Sequence, residues 1–319
     1  MQIKRQHFFL IALILKVLWG LVPSASKFVI NEIPSELYIT LRWGISGSLF
    51  FICVLITDHW RNVRLADLLI VSVLGILCYG GASLCMLYGL SIGGVINFSL
   101  IASLGPVLTA LLSIFILNEK PKREFLIALP ISVSGLILVL IGKFQASSAK
   151  IAATSSAAIL LGFALDSFVF VISKRYKSKM GTLQFLAISQ LAATGAMLIL
   201  QATIYHQTID ATNLTPVGIG SLIYVSLVAC FIGYGTFYWL LQHFDGHKLA
   251  LFDGVQTVSS VFFGYLFFSE PLNFSIVAGG LMVIAGLYCG NRGAWSSTDN
   301  SEAQLKSTPE LRTRSRHEA

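Results

Sequence analysis

The sequence predicts an all-α integral membrane protein whose ten transmembrane helices form two inverted five-helix repeats. Of the 319 residues, 55% are hydrophobic and only 12% are charged, whereas soluble domains carry about 25% charged residues. The apolar residues also form runs of the length that a membrane helix needs, roughly 20 residues. Finally, the first half of the chain resembles the second half when Glu119 is aligned with Glu270. These observations exclude a water-soluble fold.

The apolar runs number ten and are separated by short polar breaks. They lie near residues 8–28, 35–57, 66–90, 93–117, 124–142, 152–173, 182–205, 216–241, 247–268 and 272–291. Lys4 and Arg5 before the first run make it resemble a secretory signal peptide. Because Lys16 interrupts its apolar region and cleavage would leave nine spans, we expect this run to be retained. Residues 293–319 are polar and aperiodic, which predicts a disordered cytoplasmic tail.

Basic residues indicate how the chain lies in the membrane. With the amino terminus inside, 17 of the 22 Lys and Arg residues are cytoplasmic and three are external, while Lys16 and Arg42 lie within spans. The positive-inside rule therefore places both termini in the cytoplasm. The net charge of +7 forms no basic stripe with interleaved aromatic residues, so nucleic acid is not a predicted partner.

The sequence gives little support for a metal site or for disulfide bonds. All five cysteines lie within apolar runs, with no Cys-x-x-Cys pair, so neither a zinc site nor a disulfide framework is predicted. His243 and His247 are spaced four apart beside Asp245, but Gly246 breaks the segment, which leaves a metal site as a weak alternative. We predict no cofactor and no enzymatic activity, with an intramembrane enzyme as the less favoured alternative.

The internal repeat divides the chain into residues 1–145 and 146–292. Aligning Glu119 with Glu270 also places Gly135 on Gly286 and Tyr88 on Trp239. Because each half contains an odd number of helices, the second half begins on the opposite side of the membrane. Inverted repeats of this kind are typical of secondary transporters, which bind substrate near the midplane between the halves.

Five short motifs carry a family resemblance. They are Leu18-Trp19-Gly20, Leu41-Arg42-Trp43, Gly105-Pro106-Val107, Asn118-Glu119-Lys120-Pro121 and Ser269-Glu270-Pro271. With these motifs in this order, the chain resembles the EamA-type transporters of the drug/metabolite transporter superfamily over residues 8–291. The resemblance implies a ten-helix metabolite carrier in a bacterial inner membrane, often an exporter of amino acids or related compounds, but it does not identify the substrate.

The second half departs from the pattern in the ninth span. There, residues 253–257 (Asp-Gly-Val-Gln-Thr) replace the Ala-Ser-Leu-Gly-Pro sequence of residues 102–106.

Ionisable residues within spans are costly, so each is a functional candidate. There are four: Lys16, Arg42, Asp166 and Asp253. We predict that Lys16 and Asp166 pair near the cytoplasmic gate, with a permanent structural pair or a snorkelling Lys16 as alternatives. Asp253 is a candidate proton site, or else a wetted helix end. Arg42 suits a substrate carboxylate or an outer-gate partner, with a contact to backbone carbonyls as the alternative.

Neutral residues complete the predicted site. Aromatic and amide side chains that could line a cavity for an organic solute, or simply pack, are Trp19, Tyr79, Tyr88, Asn97, Gln190, Tyr234, Tyr238 and Gln256. We assign structural roles to Glu119 with Pro121 and to Glu270 with Pro271, as helix starts. Gly135 and Gly286 are assigned to close helix packing.

The predicted function is a secondary carrier that exports an amino acid or similar small metabolite, with protons as a candidate coupling ion. Uptake is the rival direction, and monomer and homodimer both stay open. The chain has no Gly-x-x-x-x-Gly-Lys-Ser/Thr loop, so ATP is not expected to drive transport directly.

Overall fold

The computed structural model of the chain describes residues 5–57, 60–117, 123–146, 149–205, 214–243, 252–286 and 288–289, and in these residues it is helical without strands. The helices are α1 (Arg5–Ile30), α2 (Ser35–Ile56), α3 (Leu65–Gly75), α4 (Ser83–Ala102), α5 (Gly105–Leu117), α6 (Arg123–Ala146), α7 (Ala149–Met180), α8 (Thr182–Leu200), α9 (Pro216–Ile223), α10 (Gly233–His243), α11 (Asp253–Phe268) and α12 (Phe274–Gly286). Among the described residues, three π-helical segments follow α3, α8 and α9, namely Ile76–Ala82, Gln201–Tyr205 and Tyr224–Ile232.

Six helices in the described part of the chain are long and apolar enough to cross a membrane. They cover Phe8–Ile30, Ser35–Ile56, Leu65–Ala102, Ala149–Ser173, Thr182–Ile204 and Pro216–Leu240. Shorter apolar helices occupy Gly105–Ile116, Leu129–Val139 and Phe274–Gly286. The prediction of an all-helical, multi-pass membrane protein is therefore confirmed.

Helices from the two predicted halves pack against one another. The extensive helix pairs are α2 with α8, α4 with α7, and α1 with α11. Helices α1 and α11 run in the same direction, because Lys16, midway along α1, contacts Asp253 at the start of α11, and Lys27, near the end of α1, contacts Glu270 just after the end of α11. Between these contacts Gly20 allows close approach: a Cβ there would lie 2.9 Å from the carbonyl oxygen of Gln256. The first apolar run is thus an integral helix of the bundle.

A second close crossing joins α6 and α12. A Cβ on Gly135 would lie 2.7 Å from the carbonyl oxygen of Gly279, and a Cβ on Gly279 would lie 2.6 Å from that of Gly135. Close backbone approach through small residues is a common packing mode of membrane helices. Gly135 therefore allows α6 to pack closely against α12 at Gly279.

Glu270 caps a break inside α4. Gly94 has a positive φ of 84° within this helix, which leaves the N–H groups that follow it without helical partners. The Glu270 carboxylate accepts hydrogen bonds from the N–H groups of Val95, at 2.7 Å, and Ile96, at 2.8 Å. Its third partner is the Lys27 ammonium, 2.9 Å from Oε1. Glu270 therefore caps a helix start in the first half of the chain, whereas the prediction placed its cap in the helix following Pro271.

The backbone explains how Glu270 reaches this position. Ser269 ends α11 in a left-handed conformation with a φ of 49° and donates its N–H to the Tyr265 carbonyl. The turn spans residues 269–273, and Asn273 then caps α12 by accepting the N–H of Ile276 at 2.9 Å. Pro271 thus lies in the turn, and Asn273, not Pro271, opens the following helix.

Contacts between the two halves also occur at each end of the bundle. At the end where α1 gives way to α2, Glu32 accepts the N–H of Thr215 at 3.0 Å, beside the start of α9. At the end where α1 begins, Lys179 contacts Asp67 at 2.7 Å. The Gln184 amide there exchanges two hydrogen bonds with the backbone of Arg61. These contacts frame the central part of the bundle.

Candidate substrate cavity

A cavity of about 290 Å³ lies between helices of the two halves, close to the lower limit of small-molecule sites, roughly 300 Å³. Its wall combines apolar, aromatic, hydroxyl and charged side chains. They are Trp19, Val22, Pro23, Ser26, Arg42, Trp43, Cys78, Tyr79, Ser83, Met86, Leu87, Leu90, Phe98, Ser99, Ala102, Ser103, Pro106, Phe163, Asp166, Ala229, Tyr234, Asp253, Gln256, Thr257 and Ser260. Such a mixture suits a small organic solute with polar groups.

Arg42 supplies positive charge to the cavity. Its Nε donates to the Cys230 thiol at 3.1 Å, and its Cζ lies 4.4 Å from the centre of the Trp43 ring. The Tyr38 ring lies on another side, with its centre 5.9 Å from Cζ. No carboxylate forms an ion pair with Arg42 among the described residues. The described neighbours of this guanidinium are thus a thiol and two aromatic side chains.

Asp166 supplies negative charge to the same cavity. It is half-buried on α7 and accepts a hydrogen bond from the Cys78 thiol at 3.0 Å. The phenols of Tyr79, Tyr234 and Tyr238 lie close enough to interact electrostatically with it. The cavity thus presents a guanidinium and a carboxylate to one solute.

Four aromatic rings form one connected part of the wall. Trp43 contacts Tyr79 and Tyr234, with ring centres 4.5 and 6.1 Å apart, and Tyr234 contacts Trp19 at 5.6 Å. Hydrogen bonds fix the two indoles: Trp43 Nε1 donates to Ser83 Oγ at 3.3 Å, and Trp19 Nε1 donates to the Ala229 carbonyl at 3.0 Å. Apolar faces held this rigidly suit the hydrocarbon part of a solute.

Lys16 pairs with Asp253, not with Asp166 as predicted. The Lys16 ammonium contacts the Asp253 carboxylate. It also lies 4.8 Å from the centre of the Trp19 ring and 5.5 Å from that of Phe237. The prediction was wrong because corresponding positions in two repeats need not face each other, whereas parallel packing of α1 on α11 brings Lys16 to the first residue of α11. Asp253 lines the cavity with this lysine beside it.

Replacing either partner of the Lys16–Asp253 ion pair should destabilise the protein, but by different amounts. The Lys16 side chain is 6% exposed and that of Asp253 is 22% exposed, so removing Asp253 leaves the more enclosed charge unpaired. We expect Asp253→Asn to lower the free energy of unfolding by about 3 kcal/mol and Lys16→Met by less. The double variant should be more stable than Asp253→Asn alone. Thermal unfolding in nanodiscs measures all four proteins, and additive losses in the double variant would contradict a coupled pair.

The other predicted cavity residues divide into two groups. Trp19, Tyr79, Tyr234 and Gln256 line the cavity. Tyr88 does not: its side chain is more than half exposed on the outside of the bundle. Asn97 is fully buried and donates to Ser155 and Ser156 of α7, so it joins two helices instead.

Gln190 and Tyr238 also lie outside the wall of this cavity. Gln190 is fully buried where α8 packs against Gly47 of α2, and its amide has no hydrogen-bond partner among the described residues. Tyr238 packs beside the cluster of Phe50 and Phe185. Helical spacing alone does not distinguish these positions from the cavity wall.

Several further predictions fall outside the described residues or are not tested by them. Glu119, Pro121, His247 and the tail at 293–319 lie outside the described residues, as does the side chain of His243. Gly286 lies at the buried end of α12, where its predicted packing role stays a prediction.

The sequence patterns also missed two cysteines that contact the charged groups of the cavity, because cysteine counts as apolar in such a pattern. Cys78 contacts Asp166 and Cys230 contacts Arg42. The repeat offers a signal for Cys230, because the alignment of Glu119 with Glu270 places Tyr79, a predicted site residue, on Cys230.

The fold and cavity define a polytopic α-helical membrane protein with a solute-sized, charged central cavity. A profile of the EamA-like transporter family matches residues 8–141 and 154–291. The chain therefore belongs to the EamA-like transporter family.

Similar proteins are also named as transporters. An uncharacterized transporter of Archaeoglobus fulgidus is 24% identical, over 85% of this chain and 93% of its own. The uncharacterized transporter YoaV of Bacillus subtilis is 22% identical, over 85% and 92% of the two chains. A solved crystal structure superposes with a TM-score of 0.63 at 17% identity, covering 90% of this chain and 96% of the other. That likeness concerns the fold alone.

Proposed function

We propose that this membrane transporter is a secondary carrier that exports a small zwitterionic metabolite, an amino acid or a related compound, by alternating access. The observation that carries the proposal is that a guanidinium, Arg42, and a carboxylate, Asp166, both line one cavity. Arg42 would hold the solute's carboxylate and Asp166 its ammonium group, while the connected aromatic rings contact its hydrocarbon part. Export is the direction that the family resemblance implies.

The arrangement of the cavity wall supports an inverted ten-helix repeat. Under the alignment of Glu119 with Glu270, four pairs of corresponding positions both line the cavity. They are Cys78 with Ala229, Ser83 with Tyr234, Ala102 with Asp253, and Pro106 with Thr257. The π-helical segments Ile76–Ala82 and Tyr224–Ile232 overlap under the same alignment. A site at the interface of two such repeats is the expected place for a substrate in secondary transporters.

Proton coupling would involve the carboxylates of the cavity. Asp253 lies between the cavity and Lys16, so a proton on Asp253 would weaken its ion pair with this lysine. A proton on Asp166 would compete with the ammonium group of the solute. We therefore propose protons as the coupling ion, in a bacterial inner membrane with both termini in the cytoplasm.

Efflux from proteoliposomes tests the proposed function. Vesicles are loaded with a mixture of amino acids, nucleosides and vitamins, and mass spectrometry identifies the compounds that leave faster than from protein-free vesicles. We expect selective loss of amino acids and an increase of that loss under an imposed pH gradient. Retention of every amino acid by vesicles that contain folded, inserted protein would overturn the proposal. Tyr88→Phe, which changes a residue outside the cavity, serves as the matched control.

A further inference from the structure

Cys230, Trp43 and Tyr38 surround the Arg42 guanidinium before any solute binds. Its Nε donates to Cys230 Sγ at 3.1 Å, and its Cζ lies 4.4 Å from the centre of the Trp43 ring. A guanidinium can bind a carboxylate in two bidentate ways: through the edge formed by Nε and one Nη, or through the edge formed by both Nη groups. Because Cys230 occupies Nε, the edge formed by the two Nη groups is the one that a bidentate carboxylate could use, and the neutral Tyr38 phenol is a further polar neighbour of the guanidinium.

Cys230 is itself fixed in place. It is fully buried in the π-helical segment Tyr224–Ile232. The neighbouring residue, Ala229, accepts a hydrogen bond from the Trp19 indole. Trp43, the ring beneath the guanidinium, is held by Ser83 and by its contact with Tyr79. The guanidinium is therefore held by side chains that are themselves fixed by their neighbours.

We propose that Cys230 is a positioning residue that sets specificity for a carboxylate by directing both Nη groups of Arg42 into the cavity. The thiol is a weak acceptor, so it orients Nε without neutralising the guanidinium. A carboxylate has two oxygens in one plane and matches the Nη edge, whereas a primary amide offers only one acceptor oxygen. The inference rests on the proposed function, because it assigns the group through which the solute's acid end is recognised.

Chemical labelling of Arg42 tests the positioning without transport. Phenylglyoxal modifies accessible guanidinium groups, and mass spectrometry of the peptide containing Arg42 reports the rate. In the wild type we expect benzoate, but not benzamide, to slow labelling of Arg42. Cys230→Ala should lose most of this difference, while Cys230→Ser, whose hydroxyl can still accept from Nε, should keep it. Cys53→Ala, which changes a cysteine away from Arg42, should behave as wild type.

Three labelling outcomes would overturn the proposal. They are equal protection in the wild type and in Cys230→Ala, equal protection by benzoate and benzamide, and absence of Arg42 labelling in the wild type. If Cys230→Ala does not fold, Cys230→Ser still decides: loss of the difference in that folded variant would also contradict the positioning role.

Transport then separates this inference from the proposed function. With L-leucine and L-leucinamide as probes, Cys230→Ala should raise the KM for leucine about 5-fold with little change in kcat, the mark of lost binding rather than lost turnover. Cys230→Ser should restore the wild-type KM. If the wild type moves neither compound, the proposed function fails, while the labelling result still stands for or against Cys230. If it moves leucine and Cys230→Ala leaves KM unchanged, the positioning role fails alone.

Discussion

Replacement of Glu270 by alanine should destabilise the protein more than any other single change at the end of the bundle where α1 gives way to α2. The substitution leaves the N–H groups of Val95 and Ile96 without their acceptor and leaves Lys27 without its counter-charge. Hydrogen bonds to charged groups contribute about 1.5–3 kcal/mol each, and an unsatisfied buried donor costs a similar amount. We therefore expect a loss of about 3–5 kcal/mol, measured as a lower unfolding midpoint in nanodiscs.

Glu32 gives a matched control for this prediction. It also caps a helix from a distant part of the chain, at Thr215, but its contacts are more exposed and Thr215 still caps α9 through its own hydroxyl. Glu32→Gln should therefore cost about 1 kcal/mol, the usual value for a helix cap. Lys27→Met should fall between the two, because Glu270 would keep both backbone partners. Equal unfolding midpoints for Glu270→Ala and the wild type would contradict a capping role.

The sequence predicted the helices well because apolar runs determine them directly. The expected runs at 35–57 and 182–205 match α2, and α8 with the π-helical segment that follows it, to within one residue. The boundary expected between the runs at 66–90 and 93–117 lies close to Gly94, whose non-helical backbone separates two helical stretches. A glycine that adopts positive φ has the same sequence signature as one that packs closely, so the conformation of Gly94 could not be assigned beforehand.

The cavity was predicted in part, for reasons that differ between residues. Arg42, Asp166 and Asp253 were found because a charge within a membrane span requires a partner or a function. The pairing of Lys16 was missed because its partner depends on the rotation of α1 and α11 about their axes, which the repeat does not fix. Asn97 was misplaced because an amide that joins two helices looks in sequence like one that binds a solute.

Loss of either charged group of the cavity should reduce transport of a zwitterion strongly. Arg42→Gln removes the group proposed to hold the carboxylate, and Asp166→Asn removes the one proposed to hold the ammonium group. A hydrogen bond to a charged group contributes about 1.5–3 kcal/mol, so each variant should weaken binding of L-leucine about 10- to 100-fold. Counterflow in proteoliposomes, with Tyr88→Phe as the control, measures the change.

Truncated solutes distinguish recognition from general damage to the cavity. Isopentylamine keeps the ammonium group and apolar chain of leucine, whereas 4-methylpentanoate keeps its carboxylate and chain. Each variant should lose affinity only for compounds that carry the group it no longer recognises. Asp166→Asn should therefore bind 4-methylpentanoate as the wild type does, and Arg42→Gln should do the same with isopentylamine. A uniform loss of affinity for all three compounds would contradict recognition and would mean that Arg42 and Asp166 maintain the structure of the cavity. Recognition of separate groups instead requires each variant to keep its affinity for a different truncated solute.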